Sequence, residues 1–217
     1  MAFDGPAPVD YRNVSALNRA YLSLLQANCH ARRSLHELSS PLCRRITSLT
    51  RLQVDRLSAT PFLLLSFRER DDKLWSQILG DDSGQDLFTR PLADDLERLQ
   101  SAGLGFVWQL ARQNPYTLRL TCGASLHWCE QIAEQTFFGL LAAVAPHPDL
   151  LELRRGNDDQ LWLKLLIHGV SRETEVRTAA HVSALQTLLT RPATSVPRTW
   201  AVAACKSKHT GLKVADE

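Results

Sequence analysis

Apolar side chains recur along most of this chain at three- and four-residue intervals, the spacing of one helix face. Val14, Leu17, Tyr21, Leu24 and Leu25 form the first such stripe and predict a helix from residue 14 to about residue 33. Ahead of it, Gly5, Pro6 and Pro8 predict a mobile lead-in. Ser40 followed by Pro41 reads as a cap with proline in the first turn of a short helix through Ile46 and Leu49. Thr50 and Gln53 have capping-box spacing and open another short helix carrying Leu52 and Leu57, stopped at Thr60-Pro61. Phe62 to Phe67 is a continuous apolar run, too short to separate a buried strand from a buried helical turn. Asp71 or Asp72 then caps a helix from Lys73 to Leu79.

Residues 80–86 are polar, contain Gly80 and Gly84, and lack any period. They predict a boundary between two helical segments, 12–79 and 86–190. In the second, a helix from Pro91 to Ser101 is expected to stop at Gly103, and another from Phe106 to Gln113 at Asn114-Pro115. Ser125 caps an expected long helix through Leu141. Asp158 or Asp159 caps one ending at His168, and Ser171 caps a last helix to Thr190. Residues 191–217 are Pro-, Ser- and Lys-rich and read as a flexible tail, with Trp200 as its one large anchor. The fold class expected is all-α: a helical bundle with short turns and at most one short strand.

Composition adds limits. The chain has 217 residues, 44% hydrophobic and 22% charged, enough to pack a core. No run approaches the ~20 apolar residues a membrane helix needs, and the N-terminus lacks the layout of a signal peptide. A cytoplasmic protein with no membrane contact is therefore expected. Its five cysteines, odd in number and irregular in spacing, do not suggest a disulfide framework. Net charge is only +2, divided as 11 Lys/Arg against 7 Asp/Glu over residues 1–79, 6 against 12 over 80–160, and 8 against 4 over 161–217. A bulk polyanion binder would be basic throughout, so local contact surfaces are the better expectation.

Two patterns bear on function. Residues 159–190 have the layout of a helix-turn-helix, with Gly169 in the turn and Ser171 as cap. Arg172, Thr174 and Arg177 then fall near the start of the second helix, where base edges and phosphates are reached. Glu173 and Glu175 count against a surface that meets phosphates.

The second pattern is Leu17-Asn-Arg-Ala-Tyr21-Leu22-Ser-Leu24-Leu-Gln26, followed by Leu49-Thr50-x-x-Gln53-x-x-x-Leu57-x-x-Thr60 and Leu63-x-x-x-Phe67-Arg68 with Asp71-Asp72 beyond. In order and spacing, residues 14–79 resemble the FlhD family of flagellar transcriptional activators. The resemblance implies a mostly helical dimer whose first helices entwine through Leu17, Tyr21, Leu24 and Leu25. It also implies DNA binding that depends on a second regulatory subunit. The family's Arg-Leu-Gly-Ile turn is missing around Ser34 to Pro41. Leu65 stands where the family can carry a bridging cysteine, so no covalent dimer is expected.

Chemistry is sparse. Cys122, His127 and Cys129 do not have metal spacing, because two residues on a helix place His127 and Cys129 about 200° apart. No nucleophile elbow, phosphate loop or dinucleotide fingerprint occurs, so neither an enzyme nor a cofactor is expected. The sequence therefore predicts a DNA-associated transcriptional regulator acting as an oligomer, with Arg68, Arg70, Arg172, Thr174 and Arg177 as contact residues. The alternative is a non-enzymatic helical adaptor that binds another protein.

Overall fold

A computed structural model describes residues 5–27, 38–80 and 95–190. The first helix, α1, spans Pro8–Ala27 and so begins earlier than its apolar stripe suggests. Proline is tolerated in a first turn, and the Asp10 carboxylate accepts from the Ala7 N–H at 2.8 Å, holding that turn. The helix buries Val14, Leu17, Asn18, Tyr21, Leu22 and Leu25 on one side, against α3 and α5. The predicted extension toward residue 33 lies outside the described residues.

α2 (Ser40–Thr47) takes Ser39, not Ser40, as its cap. α3 (Arg51–Ser58) has the full capping box: Thr50 Oγ1 accepts from Gln53 N at 3.3 Å, and Gln53 Oε1 accepts from Thr50 N at 2.9 Å. The Gln26 amide donates to the Ile46 carbonyl in the last turn of α2 and to the Leu49 carbonyl beyond it, docking α1 on that corner. The undecided run Phe62–Phe67 is wholly buried and not helical: it bends at Phe62 and Leu64 and then forms the two-residue strand β1 (Leu65–Ser66). Buried Asn18 ties α1 to this stretch. Its amide donates to the Ser58 carbonyl, Thr60 Oγ1 and the Phe62 carbonyl, and its Oδ1 accepts from Leu64 N at 2.7 Å. Both its NH2 group and its carbonyl oxygen are engaged, which is what permits a buried amide. α4 (Asp72–Gly80) follows, its first turn held by Asp71 Oδ1 accepting from Leu74 N.

The expected stop at Gly103 does not occur: α5 runs unbroken over Asp95–Gln113. The glycines there are notches for aromatic rings. A Cβ on Gly103 would sit 2.7 Å from the Phe67 ring, and one on Gly105 would sit 3.3 Å from Phe137. Asn114 both ends α5 and caps α6 (Pro115–Cys122), a helix the pattern did not predict. The long helix expected after Ser125 is two: α7 (Leu126–Glu134) and α8 (Phe137–Val144). Gln135 is extended and Thr136 caps anew, accepting from Gly139 N at 3.0 Å; the Trp108 indole donates to the Gln135 carbonyl. Strand β2 (Glu152–Leu153) pairs antiparallel with β1, Leu65 facing Leu153 and Ser66 facing Glu152. α9 (Asp159–Lys164), capped by Asp158, runs into a π-helical turn (Leu165–Gly169), and α10 spans Thr174–Thr190.

The fold is all-α with one small strand pair. The two segments expected to part at 80–86 share one core: buried side chains from Val14 to Leu188 form a single cluster, and β1–β2 pairing joins the halves. Trp75 meets Trp128 edge-on at 5.3 Å, and Trp162 is fully buried, while Trp108 is half-buried beside Phe137. Among the described residues, no helix is long and apolar enough to cross a membrane. Residues 81–94, the tail 191–217 and Trp200 lie outside the described residues.

Candidate functional site

The stripe expected to meet a second copy is already covered. Leu17, Tyr21 and Leu25 are buried inside this one chain and Leu24 is packed against the same core. The periodicity located an apolar face correctly, but α3 and α5 of the same chain close it. The dimer expectation based on these four residues is therefore corrected: they are core.

The five expected DNA-contact residues separate into two groups. Arg68 lies between β1 and α4 with its backbone in the left-handed region, φ 53, and donates to Asp71 at 2.6 Å. Arg70 donates to two helix ends, the Gly123 carbonyl after α6 and the Leu188 carbonyl in the last turn of α10, each at 3.0 Å. Arg172 and Thr174 are exposed at the opposite end of α10. Arg177 turns back on its own loop, donating to the Ser171 carbonyl and to Thr174 Oγ1. From Thr174 to Leu188 the rise of 1.5 Å per residue separates the groups by roughly 20 Å along the axis. Ser171 Oγ accepts from Glu173 N, yet the helix begins only at Thr174. These arginines do not form one surface.

Beneath Arg68 and Arg70 lies a network that the sequence did not announce. Arg154, buried just after β2, donates to the Leu63, Leu65 and Cys122 carbonyls and to the Glu69 carboxylate. Glu69, only 2% exposed, also accepts from Ser66 Oγ at 2.7 Å and Phe67 N at 3.0 Å. The Trp162 indole donates to the Arg154 carbonyl at 3.0 Å. A buried carboxylate and guanidinium persist because each has both a charge partner and further hydrogen bonds. Above the pair opens a polar pocket of about 410 Å³, with Arg68, Arg70, Asp71, Glu152, Arg155 and Asn157 among its walls.

The other candidate is α10 itself. From Thr178 to Thr190 this helix has no Lys, Arg, Asp or Glu, and only His181, Ala184 and Leu188 are buried along it. Its exposed positions there are small, hydroxyl, amide or apolar side chains, with no charge to hold the surface in water. Here one side borders an apolar groove of about 440 Å³, where Ala179, Ala180, Ser183 and Thr187 face Leu161 and Lys164 of α9. Outside the groove Val182 and Leu189 are exposed on α10, and Leu163 of α9 and Ile167 of the π-helical turn are exposed as well. The missing charge was legible in the sequence; which stripe the core would use was not.

Nucleophilic chemistry finds little here. Burial pushes the Cys122 and Cys129 thiols up to about 12, so neither is a thiolate at neutral pH. His127, two residues from Cys129, is exposed. Among the described residues, no three His, Cys, Asp or Glu side chains gather as metal ligands would. No family model, curated protein or solved structure matches the chain.

Proposed function

We propose that this protein is a non-enzymatic helical adaptor that binds an amphipathic helix of another protein along α10. The observation that carries this reading is the uncharged surface from Thr178 to Thr190, which leaves Val182 and Leu189 exposed and borders an apolar groove, yet is buried on one stripe only. Small side chains at 179, 180, 183 and 184 let a second backbone approach closely, and the groove beside α9 is shaped for a helix laid lengthwise. Lys164 on the α9 rim favours a partner with an apolar stripe flanked by acidic residues.

The test is fluorescence anisotropy with labelled model helices that carry an apolar i, i+3, i+4, i+7 stripe, with glutamates or with lysines on the flank. The glutamate peptides should bind with micromolar affinity. Ala179→Glu with Ser183→Glu should abolish this without changing the melting temperature, since both positions are exposed. If neither peptide binds, or the doubly substituted protein binds as well as the parent, the reading fails.

A second reading, a DNA-associated regulator acting with a partner subunit, is favoured by one different observation. Residues 38–54 have no Asp or Glu, and Arg44, Arg45 and Arg51 are all exposed around the turn between α2 and α3. A duplex-DNA titration at two salt concentrations addresses it. Three phosphate contacts there would make the salt slope about three units steeper than in a triple alanine variant. A slope that the variant leaves unchanged removes this reading.

A further inference from the structure

Among the described residues, the only non-glycine positions with left-handed backbone are two arginines, Arg68 at φ 53 and Arg155 at φ 48. Both stand on the wall of the same polar pocket, one on the loop after β1 and the other on the loop after β2. The turns themselves do not call for arginine. Each is closed by main-chain hydrogen bonds, Asp71 N to the Arg68 carbonyl and Asp158 N to the Arg155 carbonyl, and glycine or asparagine would adopt the same φ at lower cost. A strained residue with a large functional side chain, twice at one pocket, points to what that side chain does in the pocket.

The pocket has a fixed base. Arg154 and Glu69 neutralise each other below it, so neither is available to move, and Arg70 is anchored on two helix ends beside it. Over this base Arg68 spends one N–H on Asp71, a pair that is about 40% exposed on each side and so leaves the rest of the guanidinium fork open to a ligand. Counting the walls, Arg68, Arg70, Arg154 and Arg155 stand against Glu69, Asp71 and Glu152, an excess of one positive charge. No aromatic side chain lines the pocket, so it offers no stacking platform for a nucleobase. Guanidinium forks held in a polar pocket of this size match the oxygens of a phosphate or diphosphate group.

We infer that the pocket between the β1–α4 and β2–α9 loops is a binding site for a phosphate or diphosphate group, gripped by Arg68 and Arg155. The experiment uses the full chain in thermal-shift and calorimetric titrations with inorganic phosphate, pyrophosphate and adenosine monophosphate, against sodium chloride at matched ionic strength. Pyrophosphate should raise the melting temperature by several degrees and bind at submillimolar concentration. Adenosine monophosphate should bind no better than inorganic phosphate. Arg68→Gly with Arg155→Gly should raise the melting temperature of the free protein by a few degrees while weakening pyrophosphate binding at least tenfold. A free protein destabilised by the glycines would mean that the strain is repaid within the fold, and would overturn the inference. So would no shift beyond the chloride control, affinity retained in the glycine variant, or binding of adenosine monophosphate alone.

Discussion

Replacing Arg154 by methionine removes a side chain that joins both halves of the core by charge. Methionine fills much of the same volume, so the loss is mainly polar. Glu69, at 2% exposure, keeps Ser66 Oγ and Phe67 N as donors but loses its counter-charge. The Leu63, Leu65 and Cys122 carbonyls lose a donor as well. Breaking a buried ion pair from one side costs about 3–5 kcal/mol, and the three carbonyls place this case at the upper end. A domain holds about 5–15 kcal/mol in total, so a third or more of the stability disappears. At roughly 2–4 °C per kcal/mol for a chain of this size, the melting temperature falls by about 10–20 °C.

Urea unfolding followed by tryptophan fluorescence and by circular dichroism reads this directly, since Trp162 donates to the Arg154 carbonyl and Trp75 and Trp128 share the core. Both probes should shift together with an unchanged slope. Adding Glu69→Gln to Arg154→Met should recover part of the loss, because an unpaired buried charge becomes a neutral amide. A loss under about 1 kcal/mol, the range of an exposed pair, would refute the account of a desolvated network. Separate transitions for the two probes would refute a single core.

Three further outcomes follow from the same geometry. Gly103→Ala should destabilise by about 1–3 kcal/mol, because its Cβ meets the buried Phe67 ring at 2.7 Å, whereas Gly105→Ala, at 3.3 Å from half-buried Phe137, should cost less; thermal melts rank the two. Thr50→Ala should cost about 0.5–2 kcal/mol in urea unfolding, through loss of the α3 capping box. Burial pulls the His181 imidazole below its ordinary value, outweighing the Gly169 carbonyl bond that favours the proton. Its contribution is therefore full above the unfolded value near 6.5 and is lost as pH falls below it, toward the folded value, by at most about 1.4 kcal/mol per pH unit. His181→Gln should flatten stability against pH below 6.5, and an unchanged profile would remove His181 as the cause.

What the sequence revealed and what it hid divide along a physical line. Caps are local, so Thr50 and Ser125 sit where a hydroxyl must meet free N–H groups, and each does so, while of the two aspartates at 158 and 159 it is Asp158 that caps α9. Glycine was misread because its two uses look alike in one dimension: Gly103 gives no bend and instead admits the Phe67 ring from far along the chain. The break at Gln135 was missed because the apolar period continues across it, and only Thr136 marks the restart. The Arg154–Glu69 pair was invisible for a different reason. Its partners are 85 residues apart, and nothing local distinguishes a buried arginine from a solvated one. Of the two candidate sites, the uncharged run on α10 could be read directly, while the pocket needed the pairing of β1 with β2.

The same long-range closure changes what the resemblance to FlhD implies. That likeness rests on the α1 stripe and the segments after it, and in the expected dimer a twin chain would cover the stripe. In this protein α5, from the half of the chain that lies beyond the resemblance, packs on α1, and Val14, Leu17, Tyr21 and Leu25 are sealed without a second copy. The uncharged surface still open lies instead on α10, where Thr178 to Thr190 bury only three side chains and leave Val182 and Leu189 exposed. The proposed adaptor role therefore predicts binding through α10 and not through α1. Substitutions at Ala179 and Ser183 should change binding, whereas substitutions at Tyr21 should change folding.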